Sequence, residues 1–252
     1  MTSRQDVQAL SKAQQQSVDL AVREMKALWR SMGGLAPEWQ RDMLLEAVPA
    51  LVSKYGDVAA TAAAQWYEKT RSKQVPGPYE PVTSGNFPDQ AIRDRLRYGA
   101  ADLFDDSSTV EFAAWLEGAL QRWVMYSGRQ TIAMNAGRDP ARPRFARVPT
   151  GSRTCAWCEI MCSRGFVYYS ERTALERRGS GRLYHDRCDC QAVPEWDRGQ
   201  AHILGYDPDA MQERYQRAWE MAGGPGANAK QVAYQMRRLY PGLYKDGVSA
   251  EG

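Results

Sequence analysis

Five cysteines and one histidine form the most distinctive chemical pattern of this sequence. Every cysteine of the 252-residue chain lies within residues 155–190. The spacing of Cys155 and Cys158 allows both sulfurs to bind one metal ion from a tight turn. Further along, His185 and Cys188 repeat that spacing, and Cys190 follows two residues later. Because side chains alternate along an extended segment, we expect Cys188 and Cys190 on the same face.

This pattern favours a metal site over a disulfide framework. Disulfides usually involve an even number of cysteines that tie distant loops together, whereas these five are odd in number and clustered. Thiolates and imidazoles are typical zinc ligands, and a tetrahedral zinc site has four positions. The candidates for those positions are Cys155, Cys158, His185, Cys188 and Cys190. Cys162 fits no pair as neatly, and we interpret it as a buried or free thiol.

We expect the zinc to be structural rather than catalytic. A catalytic zinc keeps an open position and has a carboxylate or histidine placed to move protons, whereas the cysteine-rich set here fills the shell. Glu159 could imitate a general base, but the H-x-E element of zinc deaminases is absent. The phosphate-binding and nucleophile motifs of common enzymes are also absent. The sequence therefore predicts a protein that is not an enzyme and has no small-molecule substrate.

Arginines dominate the segment that contains the cysteines. Residues 128–187 hold twelve arginines, no lysine and five acidic residues, in a chain whose net charge is only +3. Guanidinium groups bind phosphates and carboxylates in bidentate geometry. Four arginines before the first cysteine pair are candidates to contact nucleic acid or an acidic partner: Arg138, Arg142, Arg144 and Arg147. The alternative is a solvated surface with local ion pairs.

Helices are expected to carry most of the chain. Apolar residues recur at helical spacing in several segments. These are residues 3–32, 37–55, 91–98 and 108–135. Pro49 should bend or split the second helix, and an alanine-rich helix should follow Gly56. Its small side chains permit close packing, either within the chain or on a partner. Ser108 and Glu111 form a capping-box pattern at the start of the last segment.

The character of the sequence changes after Gly137. Short strands are predicted at 144–148 and 165–170, and two further helices at 209–221 and 228–239. Proline and glycine mark residues 74–90 as a linker. The predicted fold is mainly α, and its parts are a helical domain (1–138), a small α+β, arginine-rich zinc-binding module (139–198) and a helical C-terminal extension (199–252). No apolar run approaches the ~20 residues of a membrane helix, so no membrane association is expected.

Residues 128–171 and 184–196 resemble the minor head proteins of tailed phages, the Mu F-like group, and are most similar to the versions in phages of actinobacteria. The likeness consists of an arginine-rich approach, a C-x-x-C pair, an S-R-G-x-V-Y segment and a closing H-x-x-C-x-C before a proline and an aromatic residue. The helical N-terminal half is also similar to that group. The resemblance marks the same five cysteine and histidine residues.

The resemblance implies a structural minor capsid protein that acts in head morphogenesis. Its implied partners are the portal protein, the major capsid protein or both, and it would also touch packaged DNA. Its implied location is the interior of the phage head, after assembly in the host cytoplasm. Some relatives carry a fused protease or toxin-like domain, and neither pattern occurs here. Two other interpretations stay open: a zinc-ribbon protein that binds nucleic acid, and a metal-dependent nuclease.

Overall fold

Helices make up most of the structure, a computed structural model that describes residues 1–104, 109–168, 184–199 and 202–246. The described elements, in chain order, are α1 (Arg4–Ser31), α2 (Pro37–Ser72), α3 (Asp89–Gly99), α4 (Thr109–Arg138), β1 (Arg144–Val148), α5 (Ala156–Cys162), β2 (Gln191–Glu195), α6 (Pro208–Met221) and α7 (Ala229–Leu239). The predicted mainly α class is confirmed. Within the described ranges, no helix is both long enough and apolar enough to cross a membrane.

The three long helices α1, α2 and α4 pack together over a core of apolar side chains. Val18, Leu44 and Trp123, each from a different helix, are at most 3% exposed. Gly128 of α4 permits close packing, because a Cβ there would lie 2.4 Å from Nε2 of Gln14. The alanine-rich face of α2 is buried as well, with Ala59 and Ala63 among the fully buried residues. That face therefore packs within the chain.

One expectation about α2 is wrong. This helix runs unbroken for 36 residues through both Pro49 and Gly56. A proline inside a helix leaves the carbonyl four residues earlier without its usual donor. Here that carbonyl belongs to Leu45, and it accepts a hydrogen bond from Nη1 of Arg93 in α3. A Cβ at Gly56 would lie 2.1 Å from Oδ1 of Asn86, so this glycine permits a close approach and does not end a helix.

The predicted linker is irregular but is fastened along α4. Three α4 residues, spaced four positions apart, hold it. Ser127 accepts a hydrogen bond at its carbonyl from Ser84 at 2.8 Å, Thr131 Oγ1 accepts one from the Ser84 amide at 3.0 Å, and Asn135 Nδ2 donates to the carbonyl of Val82 at 2.7 Å. These hydrogen bonds therefore hold residues 82–84 against the surface of α4.

The small sheet consists of β1 and β2 in antiparallel register, with Phe145 opposite Pro194. The strand predicted at 144–148 is confirmed, whereas β2 and α5 were not foreseen. Of the strand predicted at 165–170, Tyr168 forms a single bridge to Phe145, and residues 169 and 170 lie outside the described residues. Ser108 of the expected capping box also lies outside them. The helices predicted at 209–221 and 228–239 correspond to α6 and α7.

One buried core crosses the predicted domain boundary at residue 138. Leu10 of α1 and Tyr67 of α2 belong to the same apolar cluster as Phe145 of β1 and Cys188. The N-terminal end of α1 also meets β2, since the Thr2 amide donates to Oε2 of Glu195 at 2.7 Å and both residues are buried. The domain limits stay a prediction, but the helices and the sheet share their core.

Asp139 links these two parts through a buried polar network. Its Oδ2 accepts hydrogen bonds from Arg71 Nε at 2.8 Å, from the Tyr67 hydroxyl at 3.0 Å and from Trp196 Nε1 at 3.1 Å. The Arg71 and Asp139 side chains are 7% and 0% exposed. The end of α4 is therefore fixed to α2 and to the residue that follows β2.

Replacing Asp139 should test how strongly this network stabilises the fold. Asp139→Asn leaves the Arg71 guanidinium buried without its counter-charge, so the free energy of unfolding should fall by about 3 kcal/mol. The exposed Asp94, which pairs with Arg97 on α3, is the matched control. Asp94→Asn should change stability by under about 0.5 kcal/mol. Equal losses in urea titrations of the two variants would contradict the assigned role.

The Arg71–Asp139 pair should also make the free energy of unfolding depend on pH. Burial raises the pKa of Asp139, but the hydrogen bonds from Arg71 and its neighbours outweigh burial and hold it below its usual value of 3.8. A depressed carboxyl pKa contributes stability that is present above 3.8 and is lost as pH falls through the folded-state pKa. The stability difference between the natural chain and Asp139→Asn should therefore narrow as the pH of the urea titration is lowered below about 4.

Candidate metal centre

The first pair of candidate ligands lies at the start of α5. Cys155 is the N-cap of this helix, and its Sγ accepts a hydrogen bond from the Cys158 amide at 3.1 Å. The cap turns both sulfurs to the same side, as the spacing predicts, although a helix follows where only a turn was expected. Both side chains are buried, at 2% and 0% exposure.

The second group lies on the loop that leads into β2. His185 Nδ1 contacts the backbone carbonyl of Asp186 at 2.7 Å, which orients the ring. Its Nε2 then lies 2.8 Å from Cys155 Sγ and 3.2 Å from Cys158 Sγ. A hydrogen bond from the second ring nitrogen to a carbonyl is the usual way in which proteins orient a metal-binding histidine. The turn closes where the Cys188 amide donates to the His185 carbonyl at 3.2 Å.

The structure brings all five predicted ligands together. Cys188 Sγ lies 3.3 Å from Cys158 Sγ and 3.2 Å from Cys190 Sγ. The atoms form two compact triads that share Cys158, one with Cys155 and His185 and the other with Cys188 and Cys190. In a tetrahedral zinc site, bond lengths near 2.3 Å separate the sulfurs by about 3.8 Å. Because the atoms form two triads rather than one group of four, binding of a single metal ion by four of these residues requires the side chains to move. Cys162 is fully buried beside the cluster.

Two buried arginines surround the sulfurs, and the sequence did not reveal this role. Arg147 is fully buried and donates to Cys190 Sγ from Nη2 at 2.8 Å and from Nε at 3.3 Å. Arg129 is 1% exposed and donates to the Cys188 carbonyl at 2.8 Å. Both guanidinium groups stack on the ring of Tyr184, at 4.2 and 4.0 Å from its centroid. The core thus holds two cations beside the cysteines.

The electrostatics favour a thiolate at Cys155 and at Cys190, whereas the contact with Cys155 raises the pKa of Cys158 and burial raises the pKa of Cys188 to about 11. Hydrogen bonding to Cys158 and His185 lowers the pKa of Cys155 to about 5 in spite of burial. Burial raises the pKa of Cys190, but contacts with the neighbouring cysteines and the charge of Arg147 outweigh it and bring that pKa well below its usual value. Burial opposes a charge on His185, yet the contact with Cys155 raises its pKa. Thiolate is the form of cysteine that binds metal ions.

The four arginines predicted to contact nucleic acid or a partner have different environments. Arg138 and Arg142 are exposed. Arg144 is half-buried and donates to the Arg198 carbonyl at 2.6 Å. Arg147 does not fit the prediction, because it is fully buried against Cys190 and reaches no surface. Alternation along β1 turns it inward, towards the cysteines.

Glu159 holds the C-terminal helices to α5 and is not free to act as a base. Its Oε1 accepts from Arg214 Nε of α6 at 2.6 Å and from the Tyr244 hydroxyl at 3.0 Å. The Glu159 side chain is 3% exposed. These hydrogen bonds join α5 to α6 and to the segment after α7.

The segment after α7, residues 242–246, crosses both ligand loops. The Lys245 amide donates to the Thr154 carbonyl at 3.0 Å, and its Nζ donates to Asp189 Oδ1 and to the Arg187 carbonyl, both at 2.7 Å. Asp246 Oδ1 accepts from the Ala156 amide at 3.0 Å, at the first turn of α5. These contacts tie the two halves of the candidate site together. Beside them a cavity of about 600 Å³ reaches Cys155 and His185.

Fold and site together define a mainly helical protein that is organised around a buried cysteine–histidine cluster. The sequence model of the VG15 protein family matches residues 1–218. The chain therefore belongs to the VG15 family.

Two curated relatives are phage proteins. The Gene 15 protein of Mycobacterium phage D29 is 31% identical, over 50% of this chain and 58% of the relative. The Gene 15 protein of Mycobacterium phage L5 is 26% identical, over 64% of this chain and 66% of the relative. The matches thus cover less than two thirds of either relative. No solved structure matches the chain significantly. The phage origin expected from the sequence is confirmed, whereas the Mu F-like resemblance stays a prediction.

Residues 242–246 should slow the loss of a bound metal ion. Lys245→Ala removes two hydrogen bonds that join the ligand loops, and partners of this kind typically contribute 10–100-fold to metal affinity. We expect transfer of the metal to a chromogenic chelator to become about tenfold faster. Lys230, exposed on α7, is the control. Equal transfer rates for Lys245→Ala and Lys230→Ala would show that the segment does not restrain the site.

Proposed function

We propose that this chain is a structural minor capsid protein of a tailed phage, related to the Mu F-like group, which acts in head morphogenesis with the portal or major capsid protein. The phage family and the sequence resemblance support this function. The observation that carries the structural role is the position of the cysteine–histidine cluster. Its cysteines lie inside the core that α1 and α2 share with the sheet, where a bound metal ion would stabilise the fold.

The proposed role does not include catalysis. Among the described residues, three carboxylates are adjacent in sequence to candidate ligands, and each has a partner elsewhere: Glu159 pairs with Arg214 and Tyr244, Asp186 with Arg122, and Asp189 with Lys245. These pairings disfavour the use of any of the three as a base at a metal ion. A metal-dependent nuclease would need such a group or an exposed histidine at the ion. This environment supports a structural site.

We assign the metal as zinc on the chemistry of its donors. Thiolate sulfurs with one imidazole nitrogen suit tetrahedral zinc, and hard cations such as Mg²⁺ prefer oxygen ligands. The residues that would hold it come from the set Cys155, Cys158, His185, Cys188 and Cys190. The bound ion would supply a cross-link between α5 and the loop before β2. Because the unfolded chain lacks a formed site, the free energy of binding would add to that of folding.

Purified protein should contain one equivalent of zinc. Cys155→Ser removes both a ligand and the cap of α5, so its zinc content should fall well below one equivalent and its thermal midpoint should decrease. Cys162→Ser is the matched control, since Cys162 is also buried but lies outside the ligand set. Mass spectrometry under native conditions measures the stoichiometry. A natural chain that is free of zinc after expression in zinc-supplemented medium would refute the assignment.

Co-expression with the portal and major capsid proteins of the same phage tests the function itself. The chain should sediment with proheads and stay bound after salt washing, because a structural minor capsid protein remains part of the particle. As a control, the same preparation is made without portal protein. Loss of the chain from these particles would indicate binding to the portal, and retention would indicate binding to the capsid shell. Proheads that form with normal shape and yield, and from which the chain is missing, would rule out the proposed role.

Exposed arginines support a contact with packaged DNA. Arg138 and Arg142 face solvent at the end of α4 and before β1. If they bind phosphates, the double variant Arg138→Gln, Arg142→Gln should weaken DNA binding and reduce the salt slope by about two. Arg23→Gln, Arg30→Gln on α1 removes the same charge from another exposed surface. Identical slopes in both double variants would indicate solvation or a protein partner instead.

A further inference from the structure

Cys190 differs from the other candidate ligands in the element that positions it. Cys188 belongs to the turn of His185, because its amide donates to the His185 carbonyl at 3.2 Å. Cys190 directly precedes the first residue of β2, where Gln191 pairs with Val148 of β1. The sheet register therefore sets the place of Cys190, whereas the histidine turn sets that of Cys188.

The same register places Cys190 beside Arg147. Arg147 pairs with Ala192 in the sheet, and Cys190 lies two residues before Ala192, on the same face. Two nitrogens of the guanidinium, Nη2 at 2.8 Å and Nε at 3.3 Å, donate to this one sulfur. The distance from Nη2 to Cys188 Sγ is longer, at 3.7 Å. A fork of two donors on one acceptor is the way in which arginine binds an anion.

Cys188 is held instead towards the other ligands. Its Sγ lies 3.3 Å from Cys158 Sγ, and its carbonyl accepts from the buried Arg129 at 2.8 Å. Cys158 in turn lies 3.2 Å from His185 Nε2, and His185 lies 2.8 Å from Cys155 Sγ. A continuous chain of close contacts thus joins these four side chains, and Cys190 adjoins it at Cys158 and Cys188.

We propose that Cys155, Cys158, His185 and Cys188 bind the metal ion, and that Cys190 is an outer sulfur that Arg147 holds beside the site. This assignment rests on the proposed zinc site and deepens it. Zn²⁺ with three thiolates and a neutral imidazole leaves one net negative charge. The buried guanidinium groups of Arg147 and Arg129 lie beside this site and would stabilise that charge.

Cobalt substitution of the full chain tests the assignment, because the near-ultraviolet sulfur-to-cobalt absorption grows with the number of bound thiolates. Cys190→Ser should keep one equivalent of Co²⁺ and the full absorption. Cys188→Ser should lose about one third of the absorption, since one of three thiolates is removed. The two variants are matched, as both residues are buried and two positions apart. A loss in Cys190→Ser, with or without a loss in Cys188→Ser, would overturn the proposal.

Cys188→His keeps the test decisive if Cys188→Ser does not fold. The imidazole replaces a ligand, so this variant should bind one equivalent of Co²⁺ with about one third less absorption. Unchanged absorption in Cys188→His would overturn the assignment of Cys188. Titration of the natural chain separates the two proposals. If the natural chain binds neither Co²⁺ nor Zn²⁺, the proposed zinc site itself is wrong. If the natural chain binds one equivalent of metal and Cys190→Ser does not, only the ligand assignment is wrong.

Discussion

A guanidinium group that is removed from water must meet negative charge, and in this protein Arg147 meets it on the sulfur of Cys190. That requirement connects most of the structure. It places Cys190, whose pKa is lowered well below its usual value, in the core, and it brings β1 against the loop that carries His185. Tyr184, whose ring both Arg147 and Arg129 contact, extends the same arrangement to α4. The sheet, the loop and the long helix are thus joined by one network of buried contacts.

Helix α4 contacts both the segment between α2 and α3 and the loop before β2. On one side Ser127, Thr131 and Asn135 hold residues 82–84, which lead from α2 towards α3. On another side the helix presents Arg129 to Cys188 and Arg122 to Asp186, the latter at 3.1 Å. The candidate metal centre and the helical packing are therefore parts of one core, as the shared apolar cluster also indicates.

Local patterns predicted the elements whose cause is local. The apolar repeat of α1 and the strand at Arg144–Val148 appear where the sequence indicated, and the cysteine and histidine spacing correctly brought five side chains together. The errors have distant causes. Pro49 does not break α2 because Arg93 of another helix binds the freed carbonyl. Arg147 looked like surface charge, and only its place in the sheet turns it inward. Helix α5 has seven residues, too few for a periodic signal, and its cap is a cysteine rather than a usual capping residue.

The hydrogen bond between Thr2 and Glu195 has a consequence for the order of events during translation. These residues are separated by 193 positions, and a ribosome that adds about 5–20 residues per second needs about 10–40 seconds to make the intervening chain. The start of α1 is synthesised well before β2, so its buried contacts with β2 cannot form until Glu195 has been added. Throughout that interval the apolar side chains near the beginning of α1 lack some of their final partners. Nascent chains of this protein would therefore expose apolar surface on α1, which is the kind of surface that ribosome-associated chaperones bind.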